Sequence, residues 1–170
     1  MHAESLVLMD RMLTRRDSPT PLLVLDVGSY NVNGSYRDLV GRRGWSYIGL
    51  DVRPGPNVDV VSAEPYRFPC ADGAFDVVIC GNMIQNVESP WLLIPEMARV
   101  LKPGGLLAVV APAELPGLHP YPKDFFRYRP DGLKVLFDAA HCLNDYQIIY
   151  ENMARDVAMS ALKTRSGGTA

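Results

Sequence analysis

SPWLLIPEMARVLKPGGLLAVVAP, residues 89–112, is the stretch whose reading decides the fold. Ser89 is a residue type that caps helices, and Pro90 stands at a first helical position, where its missing amide hydrogen is not needed. Leu93, Met97, Val100 and Leu101 then share one face, so a helix runs toward Lys102. Lys-Pro-Gly-Gly closes that helix, and LLAVVAP (106–112) is apolar without alternation, the pattern of a strand covered on both faces. A helix delivered by a glycine turn into a doubly covered strand is half of a parallel repeat.

The other halves lie upstream. LLVLDV (22–27), WSYIGLD (45–51), NVDVV (57–61) and AFDVVICG (74–81) read as strands one to four, with a helix from Asn33 to Arg42 that ends at Gly44. An amphipathic helix over 4–16, with Leu6, Met9 and Leu13 on one side, precedes them and is broken by SPTP. Downstream, Asp131 to Ala140 reads as a helix, and DYQIIYE and ARDVAMSALK as two closing strands, although Ala-Met-Ser-Ala-Leu-Lys suits a helix as well. Alternation of this kind predicts an α/β, Rossmann-like doubly wound, mostly parallel sheet with right-handed crossovers and antiparallel closing strands at the C-terminus. One domain over 1–165 and a loose tail over 166–170 are expected.

Composition narrows the function. With 48% hydrophobic and 21% charged residues in 170, the chain can bury a sizeable core as one domain. A net charge of -2 lacks the positive field that phosphate neutralisation needs, so a nucleic-acid substrate is disfavoured. Cys70, Cys80 and Cys142 form no CxxC pair and no Cys/His spacing suggests a zinc site, so no metal is expected. The N-terminus has only a short apolar run among acids, which gives neither a signal peptide nor a membrane span; a cytoplasmic protein is expected.

In an open parallel sheet, ligands sit beyond the carboxyl ends of the strands. Strand one ends in Asp26, Val27 and Gly28, strand two in Asp51, and strand four in Gly81 and Asn82. Asp51 follows Asp26 by 25 residues, about the separation at which a βαβ unit offers a carboxylate to both hydroxyls of a ribose. The loop LDVGSYNVNG (25–34) does not spell GxGxxG, which a dinucleotide needs to seat its pyrophosphate on a helix N-terminus. S-adenosylmethionine has no phosphate; its zwitterionic end and cationic sulfur call for acids and carbonyls instead.

These residues resemble the class I S-adenosylmethionine-dependent methyltransferases, in particular their small "type 11" branch. LDVGSYNVNG is similar to the first motif, DxGxGxG, with Asp26 and Gly28 in register, Tyr30 in place of the second glycine and Gly34 two residues late. GLDVRPG is similar to the second motif, with Asp51 in the ribose position. SAEPYRFPCADGAFDVVICGNMIQNVESP resembles the adenine segment and fourth strand, with Ser62 where the family usually has Asp and Asn86 where it often has His. EMARVLKPGGLLAVVAP matches the helix, turn and fifth strand. The resemblance implies S-adenosylmethionine as cofactor, bound by Asp26, Gly28, Ser29, Tyr30, Asp51, Val52, Ala63, Gly81 and Asn82. For the Tyr30 ring two readings stand: it lines the methionine pocket, or it folds onto the loop.

HPYPKDFFRYRPDG (119–132) follows strand five and so lies on the ligand side. Its prolines, aromatics and cations read as a stiff lid, with Tyr121, Asp124 and Arg127 as substrate contacts. His119 is the candidate general base by its ordinary pKa and position, and a structural His is the competing account. The leading expectation is methyl transfer to a small polar acceptor, a sugar or glycan precursor, at oxygen. A non-catalytic domain of the same fold, acting as a binding or regulatory partner, is the alternative, favoured by Tyr30, Ser62 and Asn86. The small chain leaves a homo-oligomer open as the source of part of the acceptor pocket.

Overall fold

The unbroken apolar runs have one cause: helices cover both faces of a single sheet. The computed structural model describes residues 3–32, 34–114, 117–118, 123–150 and 155–165. Its strands are β1 (Leu23–Val27), β2 (Ser46–Asp51), β3 (Val60–Val61), β4 (Phe75–Gly81), β5 (Leu101–Pro112), β6 (Leu143–Ile149) and β7 (Asp156–Lys163). They lie in the order β3-β2-β1-β4-β5-β7-β6, with β1 to β5 parallel and β7 antiparallel to both its neighbours. This is the doubly wound, mostly parallel sheet that the sequence predicts.

The helices are α1 (Ala3–Leu13), α2 (Arg37–Gly41), α3 (Pro90–Val100) and α4 (Pro130–Asp138). Alternate residues of each strand serve opposite layers. Leu107, Val109 and Ala111 of β5 pack with Ile94 and Met97 of α3 and Phe137 of α4. Leu106, Ala108 and Val110 pack with Met9, Met12 and Leu13 of α1 and Leu39 and Val40 of α2. The same alternation makes Ala-Met-Ser-Ala-Leu-Lys a strand, not a helix: Met159 and Ala161 belong to the first layer and Ala158 to the second.

Three local expectations are corrected. The helix expected from Asn33 begins at Arg37, because the Asn31 side chain accepts the Gly34 amide at 2.7 Å and prolongs the loop; Asn33 itself lies outside the described residues. Lys-Pro-Gly-Gly is not a turn between elements, since Leu101 is already extended and β5 runs through it. The irregularity is absorbed as a bulge, in which the step from Phe75 to Val77 on β4 faces Leu101 to Leu106 on β5, and Gly104 takes a φ of 76°. NVDVV contributes only Val60 and Val61 to the sheet; just before them the Asp59 amide donates to the Gly49 carbonyl at 2.8 Å while its carboxylate accepts the Gly49 amide at 2.7 Å. Ser89 flanks α3 as its N-cap but makes no side-chain capping bond. The tail expected over 166–170 lies outside the described residues.

One contact sets the shape of the ligand edge. Tyr36, 1% exposed, lies against Gly81 at the end of β4, where an added Cβ would penetrate the ring. Gly81→Ala should therefore destabilise the fold by about 2 kcal/mol through overpacking, read as a lower urea midpoint with unchanged slope.

Candidate active site

Val27, Asp51, Gly81 and Pro112 end parallel strands at one edge. Asp156 joins them there, because β7 is antiparallel and its first residue pairs with Pro112. Beyond this edge opens a cleft of about 810 Å³, lined among others by Gly28, Tyr30, Asp51, Asn82, Gln85 and Asp156. A recess of about 100 Å³ adjoins it, walled by Asp26, Ser29, Gly81 and Asn82.

The loop after β1 is built to spend its own amides. Gly28 and Ser29 donate to the Leu50 carbonyl at 2.8 and 3.1 Å, Tyr30 to the Asp51 carboxylate at 3.1 Å, and Asn31 to the Pro56 carbonyl at 2.9 Å. A pyrophosphate would need such hydrogens for itself, so the loop does not suit a dinucleotide. Gly28 has a φ of 81°, and the Met83 side chain fills the space a Cβ would take, so both conformation and packing call for glycine. The Tyr30 ring rests on Gly55, with the Arg53 guanidinium 5.7 Å from its centre. It is thus folded onto the loop after β2 and forms one wall of a cleft that stays open.

The two acids differ in setting. Asp51 is half-buried, and its carboxylate is fixed by the amides of Tyr30 and Arg53, the latter at 3.3 Å. Asp26 is 3% exposed and accepts a short hydrogen bond from the Tyr47 hydroxyl. Burial pushes the Asp26 carboxyl up to about 7; the Tyr47 bond and Arg37 act downward, and the Asp51 charge adds to the rise. Around it, Ser29 Oγ and Asn82 Oδ1 are buried without a hydrogen-bond partner among the described residues. A recess rich in acceptors and bordered by a titrating carboxyl fits a ligand that brings donors and positive charge.

The other expected positions divide. Val52 lines the cleft and Gly81 the recess, whereas Ala63 is exposed and takes no part in the cleft wall. The neighbouring Ser62 lines the cleft, and its hydroxyl donates to the carbonyls of Glu64 at 2.8 Å and Arg67 at 3.2 Å, holding the 62–67 turn. Arg127 lines the cleft, and Asp124 is spent on it: the carboxylate takes both ends of the guanidinium, one at 2.7 Å. His119 and Tyr121 lie outside the described residues. Gln85 and Asp156 are cleft residues that the sequence reading passed over. Asp156 reaches the ligand edge because it heads β7, which runs antiparallel beside β5, a pairing that no local spacing marks.

A family profile described as "Methyltransferase domain" matches residues 25–109, half of the chain. The chain belongs to the methyltransferase-domain family. S-adenosylmethionine is the cofactor of this class I methyltransferase fold, and the donor-seeking recess beside Asp26 fits it. An "Uncharacterized methyltransferase" of Mycobacterium sp. (strain KMS) is 38% identical over 98 residues, covering 52% of this chain and 38% of that protein. One of Mycobacterium leprae (strain TN) is 34% identical over 102 residues, covering 54% and 37%. The methyltransferase domain thus spans less than two fifths of the length of these curated relatives. Its fold is similar to that of Burkholderia thailandensis 1,6-didemethyltoxoflavin-N1-methyltransferase, solved with S-adenosylhomocysteine, at a TM-score of 0.72 and 16% identity over 95% of this chain and 79% of that one. A S-adenosylmethionine-dependent methyltransferase of Archaeoglobus fulgidus gives 0.69 and 18% over 93% and 94%. Among the described residues no helix is long and apolar enough to cross a membrane, and no group of metal-ligating side chains is assembled.

Proposed function

We propose that this methyltransferase domain transfers a methyl group from S-adenosylmethionine to a small polar acceptor, a sugar-like compound methylated at oxygen. The observation that carries the reading is that Asp51 at the tip of β2 lines the open cleft while the unpartnered Ser29 and Asn82 atoms around Asp26 wall the recess adjoining it. Asp51 receives the ribose hydroxyls; Asp26, Ser29 and Asn82 receive the amino-acid end. The bound cofactor supplies a methyl group on a sulfonium, which leaves as a neutral thioether. The chain's own task is alignment of the acceptor, exclusion of water and acceptance of a proton. Lys123, exposed beside the cleft, supplies a cationic hydrogen-bond donor suited to a polyol or an anionic group.

Calorimetric titration with S-adenosylhomocysteine tests the reading directly; absence of heat at millimolar ligand would leave only a non-catalytic domain. Its pH dependence adds a second check. A carboxyl at its ordinary value is fully ionised by pH 6, but Asp26 ionises near neutrality, so the form that attracts a cationic ligand grows between pH 6 and 8. Affinity should rise roughly tenfold over that interval, and Asp26→Asn should flatten the profile.

A further inference from the structure

We infer that Tyr47 and Arg37 are positioning residues of the cofactor site: from behind the recess, they hold Asp26 as the carboxylate that meets the ammonium group of S-adenosylmethionine. The inference rests on the methyltransferase reading and adds to it the residues that prepare its first acid.

Strand geometry brings the groups together. Val24 of β1 pairs with Tyr47 of β2, and Asp26 lies two residues beyond Val24, so Asp26 and Tyr47 project from the same face of the sheet. Along that diagonal the Tyr47 hydroxyl donates to Asp26 Oδ2. The hydroxyl in turn accepts from Asn57 Nδ2 at 2.7 Å, and the same nitrogen donates to the Ser29 carbonyl at 2.9 Å. Arg37, the first residue of α2, lies over the Tyr47 ring with its guanidinium carbon 4.3 Å from the ring centre. Its Nε donates to Asn57 Oδ1 at 2.7 Å and its Nη2 to the Asp59 carboxylate at 2.6 Å. Neither Arg37 nor Tyr47 lines the cleft or the recess, whereas Asp26 and Ser29 wall the recess. The network therefore runs from a guanidinium at the surface of α2 to the acid at the ligand edge.

Asp26 is 3% exposed, and a buried carboxyl stays neutral unless donors or positive charge favour its ionised form. Facing it are Tyr47 and Asp51 of β2, Arg37 and Tyr36 at the start of α2, and Cys80 of β4. Burial is the main upward push on Asp26 and the Tyr47 bond the main counterweight; Asp51 adds to the rise and Arg37 to the counterweight. Burial pushes Tyr36 and Cys80 so far up that both stay neutral near pH 7. Without the Tyr47 hydroxyl, Arg37 alone opposes burial and Asp51, so Asp26 ionises at higher pH and a cationic ligand loses its partner near neutrality. A residue that only filled space beneath α2 would change affinity by the same factor at every pH.

The test is calorimetric titration of the whole chain with S-adenosylhomocysteine between pH 6 and 8.5, for wild type, Tyr47→Phe and Arg37→Gln. Tyr47→Phe should bind about fivefold more weakly at pH 7, since a midpoint moved from near 7 to near 8 leaves only about a tenth of the carboxyls ionised there. At pH 8.5 it should come within about twofold of wild type, where most of the carboxyls are ionised in both. Arg37→Gln should shift the profile in the same direction by less, because its side chain is 40% exposed and solvent screens its charge. That exposure also makes it the variant to rely on if Tyr47→Phe folds poorly. Carboxyl carbon resonances, followed by NMR in the ligand-free protein, should place the Asp26 midpoint higher in both variants than in wild type. Binding curves that run parallel to wild type at every pH, or an Asp26 midpoint unmoved in both variants, overturn the inference while leaving the cofactor reading intact. A wild type that binds no S-adenosylhomocysteine fails at the earlier step, the cofactor reading itself.

Discussion

Asp51→Ala is expected to weaken S-adenosylhomocysteine binding by roughly 100-fold, about 3 kcal/mol, since each hydrogen bond to a charged acceptor contributes about 1.5–3 kcal/mol and a ribose offers two hydroxyls. The carboxylate is preorganised for this. Two backbone amides, of Tyr30 and Arg53, already hold it in place at the tip of β2, so little ordering remains to be done when the ligand arrives. Those amides are also the complication, because alanine releases them and loosens the loop that carries Tyr30. Asp51→Asn separates the effects: its carbonyl oxygen still accepts from one amide, while its nitrogen cannot accept from the ribose. Equal losses in the two variants identify the ribose contact. Retention of affinity within about fivefold in both would remove Asp51 from the cofactor site, and with it the main support for the proposed activity.

What the sequence made legible was set by short-range rules. β1, β2, β4 and β5 could be placed because burial on both faces leaves no room for polar residues, and Asp26, Gly28 and Asp51 could be placed because strand tips are where such a sheet admits polar groups. The destination of Tyr30 was not legible, since it depends on Gly55 offering a bare backbone for the ring and on Arg53 stacking over it. Asp124 was read as a substrate contact from its place in the lid, yet it is consumed by Arg127 three residues on, a local pairing that competes with ligand binding. Ala63 was carried over from the family's pattern, but here the Ser62 hydroxyl ties the 62–67 turn to itself and Ala63 is left exposed. Asp156 was missed for a topological reason: its nearness to Asn82 comes from β7 lying beside β5, a pairing that no spacing in the chain encodes.

Arg99→Ala is expected to cost about 3 kcal/mol of stability, a fall in Tm of roughly 6–12 °C for a domain of this size. The residue lies in the stretch that decides the fold, and its partners show why that stretch is so constrained. Arg99 donates to both carboxylate oxygens of Glu96 at 2.8 and 2.7 Å, and to the carbonyls of Cys70 at 3.0 Å and Phe68 at 3.3 Å. Glu96, 5% exposed, also accepts the Phe68 amide. Burial pushes the Glu96 carboxyl up, but the bonds from Arg99 and Phe68 outweigh it and hold the group below its ordinary value. Its contribution is therefore present above the unfolded-state value and fades as pH falls through the lower folded one. Without Arg99 only the upward push of burial and one amide remain, so the gap between variant and wild type should be widest near pH 7 and narrow in acid. Glu96→Gln in the Arg99→Ala background should recover part of the loss, because a neutral side chain can still accept from Phe68 without an uncompensated charge. A double variant no more stable than Arg99→Ala at pH 7 would contradict the buried-charge account. The network also clamps the 68–72 segment against α3, and Phe68 lines the cleft, so the single variant should bind S-adenosylhomocysteine more weakly even at temperatures where it is fully folded.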